Sequence, residues 1–272
     1  MGILNYITFN GFDSRDFGVF ISGEGAFDAP ARRGEMISIP GRNGALFMDE
    51  GVFENILGKY PAFIGTMNEI NFRNKIAAFK NAILSRGNYK RLTDSYNPDE
   101  FRLAVYKSGL EVDPKHYNRA GNFTLEFDCK PQRFLNSGEI PQIFTANGTI
   151  YNPTLFASSP IIKVTGNGTV AIGDYIFTVK NNTDTIIIDT DLKDAYIPAS
   201  ELYYLTDEDG EIITNEIGIE IEIANGNIYP LNMNSKIEFA QSIIPKIEPG
   251  EIPIKRSNTI TKLEIIPRWW YL

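Results

Sequence analysis

The chain has 272 residues, 43% hydrophobic and 22% charged, which suits one large or two ordinary folded domains and excludes bulk disorder. No run approaches the roughly 18 uncharged apolar residues of a membrane helix, and residues 1–10 lack the basic-then-apolar pattern of a secretory signal. Cys129 is the only cysteine, which excludes an internal disulfide and a multi-cysteine metal site and points to a reducing cytoplasm during synthesis.

The net charge of −8 is unevenly spread. Residues 1–138 carry 17 Lys/Arg against 16 Asp/Glu, whereas residues 139–272 carry 9 against 18. The shift predicts two domains, 1–138 and 139–272, with a boundary near residues 136–141 where Gly138 and Pro141 interrupt the pattern. It also speaks against phosphate binding by the second half, which needs clustered Lys and Arg.

Along the chain, Pro40-Gly41-Arg42-Asn43-Gly44 predicts a tight turn in a β-rich stretch. It lacks both the GxxxxGK[ST] spacing and the following helix of a phosphate loop. One helix is predicted from Phe72, Ile76, Phe79 and Ile83, whose 4-3-4 spacing lines one face. Thr66 and Glu69 have the spacing of a capping box at its start, and Arg86 with a left-handed Gly87 would close it. A turn over residues 94–98 separates it from strands, in which Phe101, Leu103 and Val105 alternate with Arg102, Ala104 and Tyr106. Further on, Phe123, Leu125, Phe127 and Cys129 alternate with polar residues.

From residue 160 the pattern is of short strands. Gly166-Asn167-Gly168 and Gly173-Asp174 predict hairpins, and Ile217, Ile219, Ile221 and Ile223 alternate with Gly218, Glu220, Glu222 and Ala224. The fold class expected is mainly β with one main helix, ending in a β-sandwich.

Motifs for chemistry are sparse. His116, the lone histidine, sits in a loop pattern without a positioned partner. Cys129 falls on the apolar phase of a strand, the place of a small buried hydrophobe. Glu220 and Glu222 share a strand face as a glycosidase pair would, but opposite four isoleucines, as a solvated face does. Asp189, Asp191 and Asp194 lack the glycine and final glutamate of a calcium loop. Asp207-Glu208-Asp209-Gly210 has the make-up of an exposed turn. No catalytic, metal or cofactor site is predicted, and the expectation is not an enzyme. Arg268, Trp269 and Trp270 at the C-terminus are candidate domain-junction or packing anchors, being residues that also anchor interfaces.

Several of these segments resemble, in order, the siphophage distal tail (Dit) family. The opening Asn10-Gly11-Phe12-Asp13-Ser14 with Phe17-Gly18-Val19 is similar to that family's start, and Ile39-Pro40-Gly41-Arg42-Asn43-Gly44 to its PGR-[DN]-G turn. The helix, Phe127-Asp128-Cys129-Lys130-Pro131-Gln132-Arg133, Asn152-Pro153-Thr154, Ser159-Pro160-Ile161-Ile162, Gly166-Asn167-Gly168 and the closing Pro267-Arg268-Trp269-Trp270 extend the likeness along nearly the whole chain. Residues 192–223 depart from the family's usual spacing.

The resemblance implies a structural protein of a phage or prophage virion, made in the bacterial host cytoplasm and placed at the tail tip. Its N-terminal domain would close into a homo-hexameric ring, without membrane insertion. The ring would join the tail tube protein to the tail-associated lysin or fibre hub, with DNA only as passing cargo. The C-terminal domain would be a galectin-like β-sandwich carrying baseplate or receptor-binding protein. A ring needs two different faces to meet, and the resemblance implies contacts from Asn10, Gly11, Asp13, Ser14, Gly18, Gly41, Arg42 and Gly44, because the family's turns bearing Gly and Arg lie in its ring-forming half. The alternatives are a carbohydrate-binding adhesion module, which Tyr203, Tyr204 or Tyr229 could serve, and a tail-associated hydrolase, which would need a catalytic constellation.

Overall fold

The computed structural model describes residues 4–23, 26–85, 87–117, 119–182, 184–198, 203–204, 222–223, 231–240 and 243–272. The chain divides into two units, one of residues 1–136 and 270–272, the other of residues 137–269.

The first unit is built from β1 (Ile7–Phe9), β2 (Phe12–Asp13), β3 (Val19–Ile21), β4 (Arg32–Ser38), β5 (Ala45–Phe53), β6 (Ile56–Gly65), helix α1 (Glu69–Leu84), β7 (Lys90–Asp94), β8 (Glu100–Tyr106), β9 (Asp113–Lys115) and β10 (Ala120–Leu135). Its main sheet runs β2-β1-β7-β8-β10-β6-β3 and is antiparallel throughout. β10 spans 16 residues because it serves two partners, β6 with its first part and β8 with its last. The register shifts between Cys129 and Arg133, where Pro131 has no N–H to give a ladder.

Helix α1 covers this sheet with the face the 4-3-4 spacing defines: Phe72, Ile76, Phe79 and Ile83 are all buried. The Phe79 ring meets those of Phe12, Phe17 and Phe123 at 6.1, 5.6 and 6.0 Å. The predicted caps are corrected. Asn68 is the N-cap, its side chain accepting the Asn71 amide at 2.8 Å, while the Thr66 hydroxyl donates to the Asn68 and Arg119 carbonyls. Asn at the N-cap satisfies an orphan amide as well as Thr does. At the other end the helix closes on Ser85, a right-handed C-cap, and Arg86 lies outside the described residues.

The second unit holds β11 (Gln142–Phe144), β12 (Gly148–Asn152), β13 (Ile161–Gly166), β14 (Gly168–Ile172), β15 (Tyr175–Val179), β16 (Thr185–Asp189), β17 (Asp194–Ile197), β18 (Tyr203–Tyr204), β19 (Glu222–Ile223), β20 (Leu231–Asn232), β21 (Ile237–Phe239), β22 (Gly250–Arg256) and β23 (Ile260–Ile266). Two sheets, β11-β23-β13-β16-β17-β20 and β12-β22-β14-β15-β21, form a sandwich whose inward residues, among them Ile162, Val164, Val170, Phe177, Ile188 and Leu263, are buried. A short pair, β18-β19, stands apart.

Gly173-Asp174 does close a hairpin, β14 to β15. Gly166-Asn167-Gly168 does not, because β13 and β14 lie in different sheets. These glycines serve close approach instead. A Cβ on Gly166 would sit 2.5 Å from the Thr259 carbonyl, and one on Gly168 would strike the Ser257 hydroxyl. The alternating Ile217–Ile221 stretch, Glu220, residues 207–210 and Tyr229 lie outside the described residues.

Candidate assembly surface

Cys129, Asp189 and Asp194 are occupied within the fold. Cys129 is fully buried, and burial pushes its thiol upward, so it holds no reactive thiolate. His116 is exposed in a turn with φ 51. The Asp189 carboxylate accepts the Asp191 and Leu192 amides at 3.0 and 3.2 Å and pairs with Arg268 at 3.0 Å. Asp194 accepts from the Ala195 amide and the Asn234 side chain. Among the described residues, no cluster of three potential metal ligands occurs.

The distinctive surface is an arm. Among the described residues β4 and β5 pair only with each other, forming a two-stranded sheet separate from the main one. The Pro40–Gly44 stretch is its tip, with Gly41 and Gly44 at φ 78 and 81, values that L side chains rarely adopt. Every described residue of both strands is exposed except Ile37 and Phe53, which are half-buried. Side chains of directly paired residues share a face. Met36 and Phe47 therefore stand on one face, while Ile37 with Leu46 and Glu35 with Met48 stand on the other. Met36 is 68% exposed, Met48 55%, Leu46 50% and Phe47 42%. Among the described residues these four side chains stay largely uncovered, and contiguous exposed apolar groups of this kind mark interaction surfaces.

Local interactions stiffen the arm near its root. Arg32 pairs with Asp49 at 2.8 Å and Arg33 with Glu50 at 2.7 Å. The Gly51 amide donates to Asp49 at 2.8 Å and, with Arg32, lowers that carboxyl below its ordinary value. The Arg32 guanidinium lies 4.6 Å from the Phe53 ring centroid. Gly34 stands where the register shifts, and a Cβ there would lie 2.5 Å from the Met48 carbonyl and 2.6 Å from the Phe47 ring.

The segment from Asn10 to Gly18 works mostly inside the first unit. Asn10 and Gly11, at φ 50 and 84, turn β1 into β2. Asp13 caps a 3₁₀ turn over Ser14–Phe17 and takes the Arg15 guanidinium at 2.6 Å, which holds the Asp13 carboxyl below its ordinary value. Gly18, at φ 70, closes that turn. Ser14, expected among the contacts with a neighbour, is instead fully buried, and its hydroxyl accepts the Ile7 amide at 3.2 Å. A residue with no exposed surface has nothing to offer another subunit.

At the C-terminus, Trp269 is buried in the second unit, where a Cβ on Gly138 would lie 2.3 Å from its backbone nitrogen. Arg268, at φ 57, donates its amide to the Gly138 carbonyl at 2.8 Å. Trp270 and Tyr271 form β24, which pairs with Phe134 and Arg133 of β10 in the first unit.

In part of its sequence and in its fold the chain is similar to phage tail proteins. Residues 12–129 match the family described as the phage tail protein RIFT-related domain. Over the whole length the chain has the fold of a distal tail protein. It is similar to the Dit protein of phage SPP1, described as a paradigm of the hub adsorption apparatus in phages infecting Gram-positive bacteria, with a TM-score of 0.68 at 15% identity, covering 99% of this chain and 100% of that one. The phage P2 baseplate in its activated conformation with Ca is similar at a TM-score of 0.53 and 9% identity, covering 97% of each chain. The same baseplate with Sr gives 0.50 and 11%, again covering 97% of each. No curated protein gives a significant sequence match. At 9–15% identity these structural likenesses are likenesses of fold.

Proposed function

We propose that this protein is a distal tail protein of a long-tailed phage or prophage, whose N-terminal unit closes into a hexameric ring between the tail tube and the tail-tip fibre or lysin hub. DNA passes through the bore, and the galectin-like sandwich of residues 139–272 faces outward to carry baseplate or receptor-binding components. The observation that carries this reading is the arm. A β-hairpin with uncovered apolar side chains on both faces is suited to a heterologous contact, in which the arm of one subunit lies on a different surface of the next, and such contacts close into rings. Gly41, Arg42 and Gly44 at the tip are the contact residues this reading favours, and Asn10, Gly11, Asp13 and Gly18 are secondary candidates. Light scattering after size exclusion, with negative-stain images of the same fraction, tests it. A six-fold ring with a central hole is the expected result. A protein that stays monomeric both alone and when co-expressed with the adjacent hub protein would refute it.

A second reading, a carbohydrate-binding adhesion module, rests on a groove of about 700 Å³ in the sandwich, lined by Asp174, Tyr175, Ile176, Ile243, Lys246 and Glu248. An aromatic ring beside polar groups suits a sugar. The purified chain binding none of a panel of bacterial cell-wall sugars would remove this reading.

A further inference from the structure

The arm leaves the first unit through residues 26–31, and these are gripped from beneath by two buried arginines. Arg102 on β8 and Arg133 on β10 are directly paired across the strands and are 4% and 5% exposed. Arg133 donates Nη2 to the Ala26 carbonyl, which also takes the Asn97 side-chain amide at 3.4 Å. Arg102 donates Nη2 to the Asp28 carbonyl at 3.0 Å, while its Nε has no hydrogen-bond partner among the described residues. Glu100, also buried, accepts from Arg133 Nη1 and from the hydroxyl of Tyr271 on β24. Ahead of β4, the Glu54 amide donates to the Ala31 carbonyl at 2.9 Å and ties the two legs of the arm together.

Removing two guanidiniums from water is costly and is not in itself a source of stability. What a guanidinium offers here is a rigid planar fork that fixes the direction of the carbonyls it holds. Apolar packing could cover this end of the sheet, but it would not set the angle of an emerging hairpin.

We propose that Arg102 and Arg133 are positioning residues that fix the direction of the arm, and that Tyr271, acting through Glu100, makes the C-terminal strand part of the same clamp. This rests on the reading of the arm as the ring contact for its purpose, but not for its test.

Spin labels on Arg42→Cys at the tip and Asn74→Cys on α1, with the buried Cys129 left in place, report the arm's direction by double electron–electron resonance. Labelled chains are diluted in unlabelled protein so that only distances within one chain are read. The parent protein is expected to give one narrow distance peak. Tyr271→Phe and Arg102→Lys should each lose it to a broad distribution. A control pair, Lys59→Cys with Asn74→Cys, should stay narrow, which a general loosening of the fold would not allow. Should Arg102→Lys fail to fold, the milder Tyr271→Phe carries the test. Unchanged narrow peaks in the folded variants would overturn the proposal. Broadening in Arg102→Lys alone would overturn the part assigned to the C-terminal strand. A protein that stays monomeric both alone and with the adjacent hub protein, yet keeps the narrow tip-to-helix peak, would refute the ring and leave the clamp standing.

Discussion

Replacing Met36 and Phe47 together by serine separates the arm's role in assembly from any role in folding. The two side chains are directly paired on one face of the hairpin. Phe47 is 42% exposed, on the order of 80 Å² for a side chain of its size, and covering that area is worth about 2 kcal/mol at about 25 cal/mol per Å². Met36, 68% exposed, contributes about 3 kcal/mol on the same scale. Where the contact covers both side chains, the double variant should therefore lose about 5 kcal/mol per subunit contact, roughly three to four decades in the association constant. Neither side chain belongs to the core of the first unit, so the thermal unfolding of the isolated subunit should shift by no more than about 0.5 kcal/mol. The assay is molar mass against concentration by light scattering, with a thermal melt on the same sample. Assembly at parent concentrations would show that this face is not a contact. A melt lowered by as much as the association would show that it is part of the fold.

Asn68→Ala should destabilise the protein by about 1 kcal/mol in urea unfolding, as loss of an N-cap does, whereas Glu69→Ala should cost less; the reverse order would restore the capping box. Gly138→Ala places a Cβ 2.3 Å from the Trp269 backbone nitrogen. Because backbone cannot swing aside, proteolysis of the second unit should accelerate clearly, and an unchanged digestion rate would count against that packing. Glu264 is held below its ordinary carboxyl value by Lys163 and Lys262 at 2.7 and 2.9 Å. A carboxyl depressed in the folded state adds stability that is present above the unfolded value of 4.5 and is lost as pH falls through the lower folded value. Melts of Glu264→Gln should accordingly fall less steeply than those of the parent as pH is lowered through that window, and parallel profiles would remove the effect.

Much of this architecture is local and therefore legible. The 4-3-4 spacing of Phe72, Ile76, Phe79 and Ile83 gives the buried face of α1, and Phe123 to Cys129 give the inward phase of β10. β8 is less direct. Its inward set is Arg102, Ala104 and Tyr106, with Leu103 and Val105 only half-buried. A charged residue reads as outward, and only the carbonyls that Arg102 and Arg133 meet explain why they are inside. Gly166 and Gly168 read as turn glycines, since a backbone passing close by leaves the same residue type as a turn. The arm is the least legible part. Met36-Ile37 and Leu46-Phe47-Met48 place apolar groups on both phases of a strand, which is also the pattern of a strand buried in a core. Whether anything covers them is decided by tertiary structure alone. The return of Tyr271 to Glu100 is likewise a contact across 171 residues that leaves no local signal.

The arm and its root pose one physical problem. A lone two-stranded hairpin is marginal in water, and this one presents apolar groups that a monomer does not cover. Left floppy, it would have to be ordered at the moment of association, at about 0.5–1.5 kcal/mol for each rotamer-rich side chain immobilised. The ion pairs Arg32–Asp49 and Arg33–Glu50 are solvent-exposed and screened by water, too weak to order a hairpin of this length. The buried clamp on residues 26–28 acts where those pairs cannot, on direction, because a small angular freedom at the root becomes a large displacement at Arg42. A ring closes only when the rotation between neighbours is fixed. On the proposed ring reading, buried arginines beneath a carbonyl-bearing segment would supply orientation before contact, and the apolar faces affinity after it.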